Sequence, residues 1–528
     1  MGLPQFLAYL TRQHPGVVLH ALPPACRHLY VDFNGILHTA AARLAAARLP
    51  VNDASVVART LADIRALLDV VAPHGNVLLA VDGVPPFSKV IQQRHRRFVS
   101  QWRQRRLPEE ARSTWDSNAI TPGTAFMARL DAALRAEFAP DARVMVSGSD
   151  EPGEGETKIF RCIRTSDDVS ATTSATWDLV YGADADLIVR GMLAVSRPAC
   201  MVPLGIVRDE TRGSAFACTV IDVARMAHEV RQLMGNGEAG LLDYVFLMQL
   251  VGNDFLPPLT YLNNKQFAIP FLTALYRDNV ARPGRTLAAL DARGRPWIQW
   301  DVFAALLAVI GQQEDGRMRI SHERFAGSAP NRAMNASDRL DNLPLFEKRP
   351  AAVKVSPAGA GWRKAYYFHL LGFPRHVEQR LEACVPYVQG LAWMLEYYVC
   401  LDASTGWCYP HAYSPTALDV SVFLQERLAS DAGQTRLAED VERMRAQAAP
   451  PSDATFTLLL VLPPQSAALL PERLRPILAD AALGCVAYYP HDFDVFTYLR
   501  RYLWECAPRI PHPDVQLLHR RWLRCVKA

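Results

Sequence analysis

LYVDFNG, residues 29–35, reads as a short buried strand that runs directly into an acid and a turn, and three further stretches repeat the pattern. They are VLLAVDG (77–83), VMVSGSDEPGEGE (144–156) and DLVYGADAD (178–186). Each apolar run lacks the alternation of a half-exposed strand, so each predicts a strand covered on both faces. Helical spacing fills the intervals: Val57, Leu61, Ile64, Leu67 and Leu68 recur along one face of 56–71. Thr121 followed by Pro122 has the form of an N-cap and a first-turn proline, opening a helix that runs through Leu134. Strand–helix alternation predicts an α/β fold, with a mostly parallel central sheet flanked by helices. Ligands of such sheets bind beyond the carboxyl ends of the strands, which is where these acids fall.

At 528 residues the chain exceeds one ordinary domain. Its organisation reads as a first unit over 1–280, a variable insert or linker region over 281–360, and a second, mainly helical unit over 361–528. The middle stretch is rich in Gly, Pro, Asn and Arg around a helical piece at 300–310. With 50% hydrophobic and 21% charged residues, the composition is that of a soluble globular chain and excludes a disordered or membrane class. FTLLLVL (456–462) is far short of a membrane span, and MGLPQFLAYLTRQ lacks the charged start and apolar core of a signal peptide. The ten cysteines are scattered, without CxxC or zinc spacing. They imply a reduced, intracellular protein, expected in the cytoplasm and as a monomer, without structural zinc.

Seven carboxylates stand beside a glycine or at the end of an apolar run: Asp32, Asp82, Glu154, Glu156, Asp184, Asp186 and Asp254. Asp184 and Asp186, two apart, point the same way if the backbone is extended. Glu154 and Glu156 are bracketed by Gly153 and Gly155, which free both to turn toward one point. Asp254 follows the apolar helix LLDYVFLMQLV (241–251) in the turn GND. Any one such acid is ordinarily a helix cap or turn former. Seven at one sheet edge would repel one another and raise their pKa values, which divalent cations relieve. Oxygen ligands without His or Cys favour Mg²⁺ or Mn²⁺ over zinc, and that chemistry suits two-metal phosphodiester hydrolysis. A phosphatase with an aspartate nucleophile at Asp32 would want a second Asp at position 34, where Asn34 stands.

Net charge is only +4, but eight Lys or Arg face two acids between Lys89 and Arg112. Lys89, Gln93, Arg96 and Arg97 share one helical face just past the acidic edge, and that set suits a terminal phosphate dianion better than a solvated surface. In order along the chain come MGLPQF (1–6), VDFNGILH (31–38), AVDGVPPFSKVIQQRHRRF (80–98), WDSNAITPGTAFMARL (115–130) and SGSDEPGEGETKI (147–159). YGADADLI (181–188), VGNDFLPPL (251–259), YVQGLAWMLEYY (387–398), WCYPHAYSP (407–415) and YYPHDFD (488–494) complete the set. This ordered set resembles the Xrn family of 5′→3′ exoribonucleases over nearly the whole chain apart from 281–360.

The resemblance implies a PIN/FEN-like nuclease core and a compact, catalytic-core-only member of the family. It implies that all seven acids are metal-site residues and that Lys89, Gln93, Arg96 and Arg97 hold the 5′-monophosphate of a single-stranded RNA. It further implies that His38 packs against the 5′-terminal base, with Trp407 a second stacking platform. The sequence departs from the family at Thr405, where a first tryptophan is usual, at Cys408, His411 and Ala412, at Thr157, where histidine is usual, and at Phe87 in place of arginine. A flap endonuclease of branched DNA shares an acidic edge, but the glycine-rich hairpin it needs for duplex DNA does not follow GNDFLPPL. A non-catalytic RNA-binding protein on the same fold would be marked by loss of a central acid, and all seven are present.

Overall fold

A computed structural model describes residues 6–165, 176–196, 202–210, 217–263, 265–329, 335–347, 354–359, 361–373, 377–401 and 406–527. The four apolar runs become β2 (Ala25–Asp32), β3 (Val77–Ala80), β4 (Val144–Ser147) and β5 (Thr176–Tyr181). With β1 (Val18–Leu19), β6 (Leu204–Asp209) and β7 (Cys218–Asp222) they form one sheet in the order β1-β7-β6-β5-β2-β3-β4. From β6 to β4 all neighbours are parallel, while β7 and β1 close the far edge antiparallel. The chain leaves β2 toward β3 and β4, then returns to place β5 on the other side of β2. That reversal opens a crevice at the carboxyl ends of β2 and β5.

Both faces are covered at β2 and β3, as their continuous apolar runs require, but β4 stands at the sheet edge and leaves Met145 exposed, so its apolar run is not covered twice. Leu29, Val31, Leu79 and Val81 pack beneath the helices Asn34–Ala46, Asp53–Val71 and Ala125–Phe138. Tyr30, Leu78, Val180 and Ile206 face a larger core shared with the helices Gly155–Thr165, Asp186–Val195 and Gly237–Met248. The start expected at Thr121 lies three residues further on. Gly123 takes a positive φ of 92°, and Thr124 is the N-cap, its hydroxyl accepting from the Met127 N–H at 3.3 Å. A left-handed residue ends the preceding turn, and the helix starts only after it.

The stretch at 281–360 is not a linker throughout. Its helix Trp300–Gln312 buries Val302, Phe303, Leu306, Leu307 and Ile310 in the larger core, against the helix Ala417–Leu428. The apolar spacing at 300–310 marked a core helix, and composition on either side masked it. Beyond it the described chain alternates helices, including Cys384–Cys400, Ala454–Val461 and Val515–Lys527, with long irregular stretches such as 489–514.

The basic helix Phe87–Arg106 is seated on this C-terminal part. Phe87, Val90, Ile91 and Phe98 share a core with Phe456, Leu459, Leu460 and Trp522. Arg94, fully buried, donates to the carbonyls of Leu460 at 2.8 Å and of Tyr488. Phe87, where the family usually has arginine, is therefore an apolar anchor of this helix.

Candidate active site

Strand ends bring the acids to one place. Asp32 closes β2 opposite Ala80 of β3, and Asp82 follows two residues later. Gly155 lies so close to both that a Cβ there would stand 2.9 Å from Asp32 Oδ1 and 3.3 Å from Asp82 Oδ1. Its backbone N–H donates to Asp82 Oδ1 at 2.6 Å, and Gly153 reaches this position with φ 105°. The glycines bracketing Glu154 and Glu156 are thus required by a tight turn and a close approach. Asn34, the residue that argued against a phosphatase, accepts a hydrogen bond from the Asp82 N–H at 3.2 Å. Lys158 donates to the carbonyls of Val81 at 2.7 Å and Gly148 at 2.8 Å, tying this loop to β3.

Asp186 does not lie in extended backbone. It is the first residue of the helix Asp186–Val195, because the chain turns helical at Ala185, so the expected extended pairing with Asp184 gives way to a helix start. Both acids nonetheless reach the site. Asp254 arrives from the turn after Gln249–Val251.

The electrostatics record the convergence. Burial first, then Asp82, Glu156, Asp184 and Glu154, pushes the Asp32 carboxyl well above the usual range. Burial and Glu154 raise Asp82 to about 6, although the Gly155 N–H and Lys89 pull it down. Asp186 also rises to about 6, through burial and then Asp254 and Asp184. Glu156 rises to about 8 through burial, opposed by Arg190 and reinforced by Asp186 and Glu154. Asp254 is the exception: against the upward push of burial, the Lys89 ammonium holds it well below the ordinary range.

Lys89 sits among the acids rather than apart from them. Its Nζ lies 2.8 Å from Glu154 Oε1 and 3.0 Å from Asp254 Oδ2, with all three side chains buried. Among the described residues, no three acid, histidine or cysteine side chains form a ready-made cation cage. Lys89 and a second cation, Arg190, which is 3.2 Å from Glu156, take up part of the acidic charge. The donor set is oxygen-only, and among the described residues Lys89 and Arg190 are fewer than the seven acids they stand among. That residual charge fits a hard divalent cation.

Beside the acids, His38 stands exposed on the helix Asn34–Ala46. Crowding of its ring, with Arg96 and Arg97 nearby, lowers its pKa to about 4, so the imidazole is neutral. Arg97 is half-buried and donates to Gln93 Oε1 at 3.3 Å; Arg96 is exposed. Neither arginine makes an ion pair among the described residues. Arg96 and Asp254 also line a cavity of about 910 Å³ that reaches His411, Arg500 and Trp504.

Trp407 does not join this group. It is 2% exposed, and its ring lies 5.4 Å from that of Trp393, which stacks in turn on Tyr397. A ring closed in by core aromatics presents no face to a base, so the stacking role gives way to a packing one. Thr405 lies outside the described residues. Two residues unassigned from sequence do touch the acids: the Tyr397 hydroxyl donates to Glu154 Oε2, and that of Tyr398 to Asp186 Oδ1 at 3.1 Å. Their signal was the tyrosine pair closing the apolar stretch YVQGLAWMLEYY.

The sequence profile described as the XRN 5′-3′ exonuclease N-terminus matches residues 1–203, and that of the Xrn1 helical domain matches residues 236–356 and 347–524. The chain belongs to the Xrn family of 5′→3′ exoribonucleases. The 5′-3′ exoribonuclease 2 of Gallus gallus is 24% identical across 98% of this Xrn chain and 69% of its own length. The 5′-3′ exoribonuclease 1 of Homo sapiens is 25% identical over 98% of the chain and 34% of its own length. That of Schizosaccharomyces pombe is 24% identical over 97% of the chain and 48% of its own length. The chain therefore spans well under two thirds of the latter two. In this Xrn chain no described helix is long and apolar enough to cross a membrane.

Proposed function

We propose that the chain is a Mg²⁺-dependent 5′→3′ exoribonuclease that degrades single-stranded, 5′-monophosphorylated RNA to nucleoside 5′-monophosphates. The observation that carries this reading is the juxtaposition of the acid cluster with a cationic patch of Arg96 and Arg97 beside His38, read as the phosphate recess, the two arginines standing on the helix that also bears Lys89. Asp32, Asp82, Glu154, Glu156, Asp184, Asp186 and Asp254 would hold one or two Mg²⁺ or Mn²⁺ ions, which supply Lewis acidity at the scissile phosphate and lower the pKa of water.

The chain's own groups do the rest. Arg96 and Arg97, in no ion pair among the described residues, take the 5′-phosphate, with the Gln93 amide alongside. The His38 ring packs on the terminal base by stacking. Lys89 bridges the two sites, fixing Glu154 and Asp254 relative to the phosphate recess. Tyr397 and Tyr398 hold Glu154 and Asp186 by their hydroxyls. Each cut leaves a new 5′-phosphate, the group the recess selects, so cleavage advances in one direction. The described cysteines are all free, which fits a reduced compartment, and the cytoplasm is the one proposed.

Matched RNAs carrying a 5′-monophosphate, triphosphate, hydroxyl or cap test the reading, with Mg²⁺, with chelator, and with Asp184→Ala. Mononucleotide release from the monophosphate substrate alone, abolished by chelator and by the substitution, is expected. Internal cuts, or equal decay of capped RNA, would refute it.

A further inference from the structure

LIVRGML (187–193) sets a single arginine in an otherwise apolar helix. Arg190 stands one turn after Asp186 and is 1% exposed. Its Nη2 lies 3.2 Å from Glu156 Oε1, its only ion-pair partner among the described residues. The guanidinium carbon lies 4.4 Å from the ring centre of Tyr397 and 5.4 Å from that of Tyr398. Among the described residues, none of Nε, Nη1 and Nη2 finds a hydrogen-bond partner.

A guanidinium buried with its donors unfilled is strongly disfavoured unless nearby charge compensates it. An aliphatic side chain in the same helix would fill the space without that penalty. The compensation comes from Glu156 and the two ring faces. Those rings belong to the tyrosines whose hydroxyls hold Glu154 and Asp186. One side chain therefore touches, directly or through a ring, the supports of three acids. Lys89 covers Glu154 and Asp254, but nothing other than Arg190 forms an ion pair with Glu156 among the described residues.

We infer that Arg190 is a positioning residue: a fixed internal cation that takes up the charge of Glu156, aligns Glu154 and Asp186 through Tyr397 and Tyr398, and so sets how tightly the site binds its divalent cation. The inference rests on the metal-dependent reading of this site. A permanent positive charge within a few ångströms opposes an incoming cation. The acids alone would hold the ion more tightly, and Arg190 keeps it exchangeable until substrate phosphate completes its shell.

Calorimetric titration of RNA-free protein with Mn²⁺ tests this on the intact chain, R190M and R190K, each first shown to melt cooperatively. R190M, which keeps the stem and loses the charge, is expected to bind Mn²⁺ on the order of tenfold more tightly. Its kcat on 5′-monophosphate RNA falls while KM for RNA holds. R190K, which restores the charge, is expected to return the Mn²⁺ affinity to within about threefold of the intact chain. If R190M fails to fold, R190K carries the test, and an affinity tenfold away in either direction overturns the inference. Unchanged affinity in R190M, with Mn²⁺ binding intact in the unsubstituted chain, overturns this role alone. No Mn²⁺ binding by the unsubstituted chain, with decay surviving chelator, overturns the metal reading and this role with it.

Discussion

On the proposed reading, Arg97→Ala should separate recognition of the RNA end from everything else the site does. Arg97 is half-buried, it donates a hydrogen bond to Gln93, and it sits beside Arg96. Loss of solvent, then the neighbouring guanidinium, pushes its pKa down to about 9. The pair is thus mutually repulsive until an anion arrives. Removing Arg97 deletes one charge-assisted hydrogen bond to the 5′-phosphate, worth about 1.5–3 kcal/mol. At about 1.36 kcal/mol per decade, kcat/KM on 5′-monophosphate RNA should fall roughly 10- to 150-fold. A 5′-hydroxyl RNA never makes that bond, so its slow decay should hold. Discrimination between the two ends collapses by the same factor. Relief of the Arg96–Arg97 repulsion leaves the melting temperature unchanged or slightly higher. Single-turnover decay of end-labelled RNAs, with thermal unfolding in parallel, gives both numbers. An equal loss on both RNAs, or a drop in melting temperature large enough to explain the loss, would refute the assignment.

Lys89→Met strips the buried partner from Glu154 and Asp254 and should lower stability in chelator by about 3–5 kcal/mol, with Mg²⁺ restoring part of it; an unchanged melting curve contradicts the bridging role. In metal-free protein, Asp82 and Asp186 titrate near 6 and Glu156 near 8, all above their unfolded values. The native state then keeps protons that the unfolded chain has already lost. Below about pH 7 the lowered histidines His38, His95 and His411 work the other way, gaining stability as pH rises. Above it they are neutral in both states, and stability should therefore fall as pH climbs through the Glu156 value near 8. Calorimetry in chelator checks this, and a melting temperature that climbs through that value reverses the argument. Trp407→Ala should destabilise by about 3–5 kcal/mol as a core truncation, whereas Trp407→Phe leaves KM for RNA in place; a raised KM in Trp407→Phe would return this ring to the substrate path.

What the chain revealed before folding was the sheet and its acidic edge. LYVD and VLLAVD are too apolar to be anything but strands covered twice, and LYVD, VLLAVD and DLVYGAD each run into the acids of the site, whereas VMVS, equally apolar, became the edge strand with Met145 exposed. Trp407 was illegible for the opposite reason, since an aromatic in a motif looks alike whether it faces a base or Trp393. The helix at 300–312 was visible as a period but obscured by its polar flanks, and burial of Phe303 and Leu307 shows only when the partner helix is in place. Lys89 shared a helical face with Gln93 and Arg97, yet no spacing rule reports that its ammonium turns into the acids. Arg190 gave the plainest local signal, a charge inside LIVRGML, and its meaning waited on Glu156 and Tyr397, which lie elsewhere in the chain.

The hydroxyls that steady Glu154 and Asp186 come from residues 397 and 398, more than two hundred positions downstream. A ribosome builds the strands and every carboxylate first, and delivers these tyrosines late. While the chain is being made, the cutting edge therefore lacks two of its braces. The helix that carries Lys89 and Arg97 also lacks the Leu460 and Tyr488 carbonyls that seat Arg94. The supports of the acidic edge are in this way supplied by residues translated long after the acids themselves.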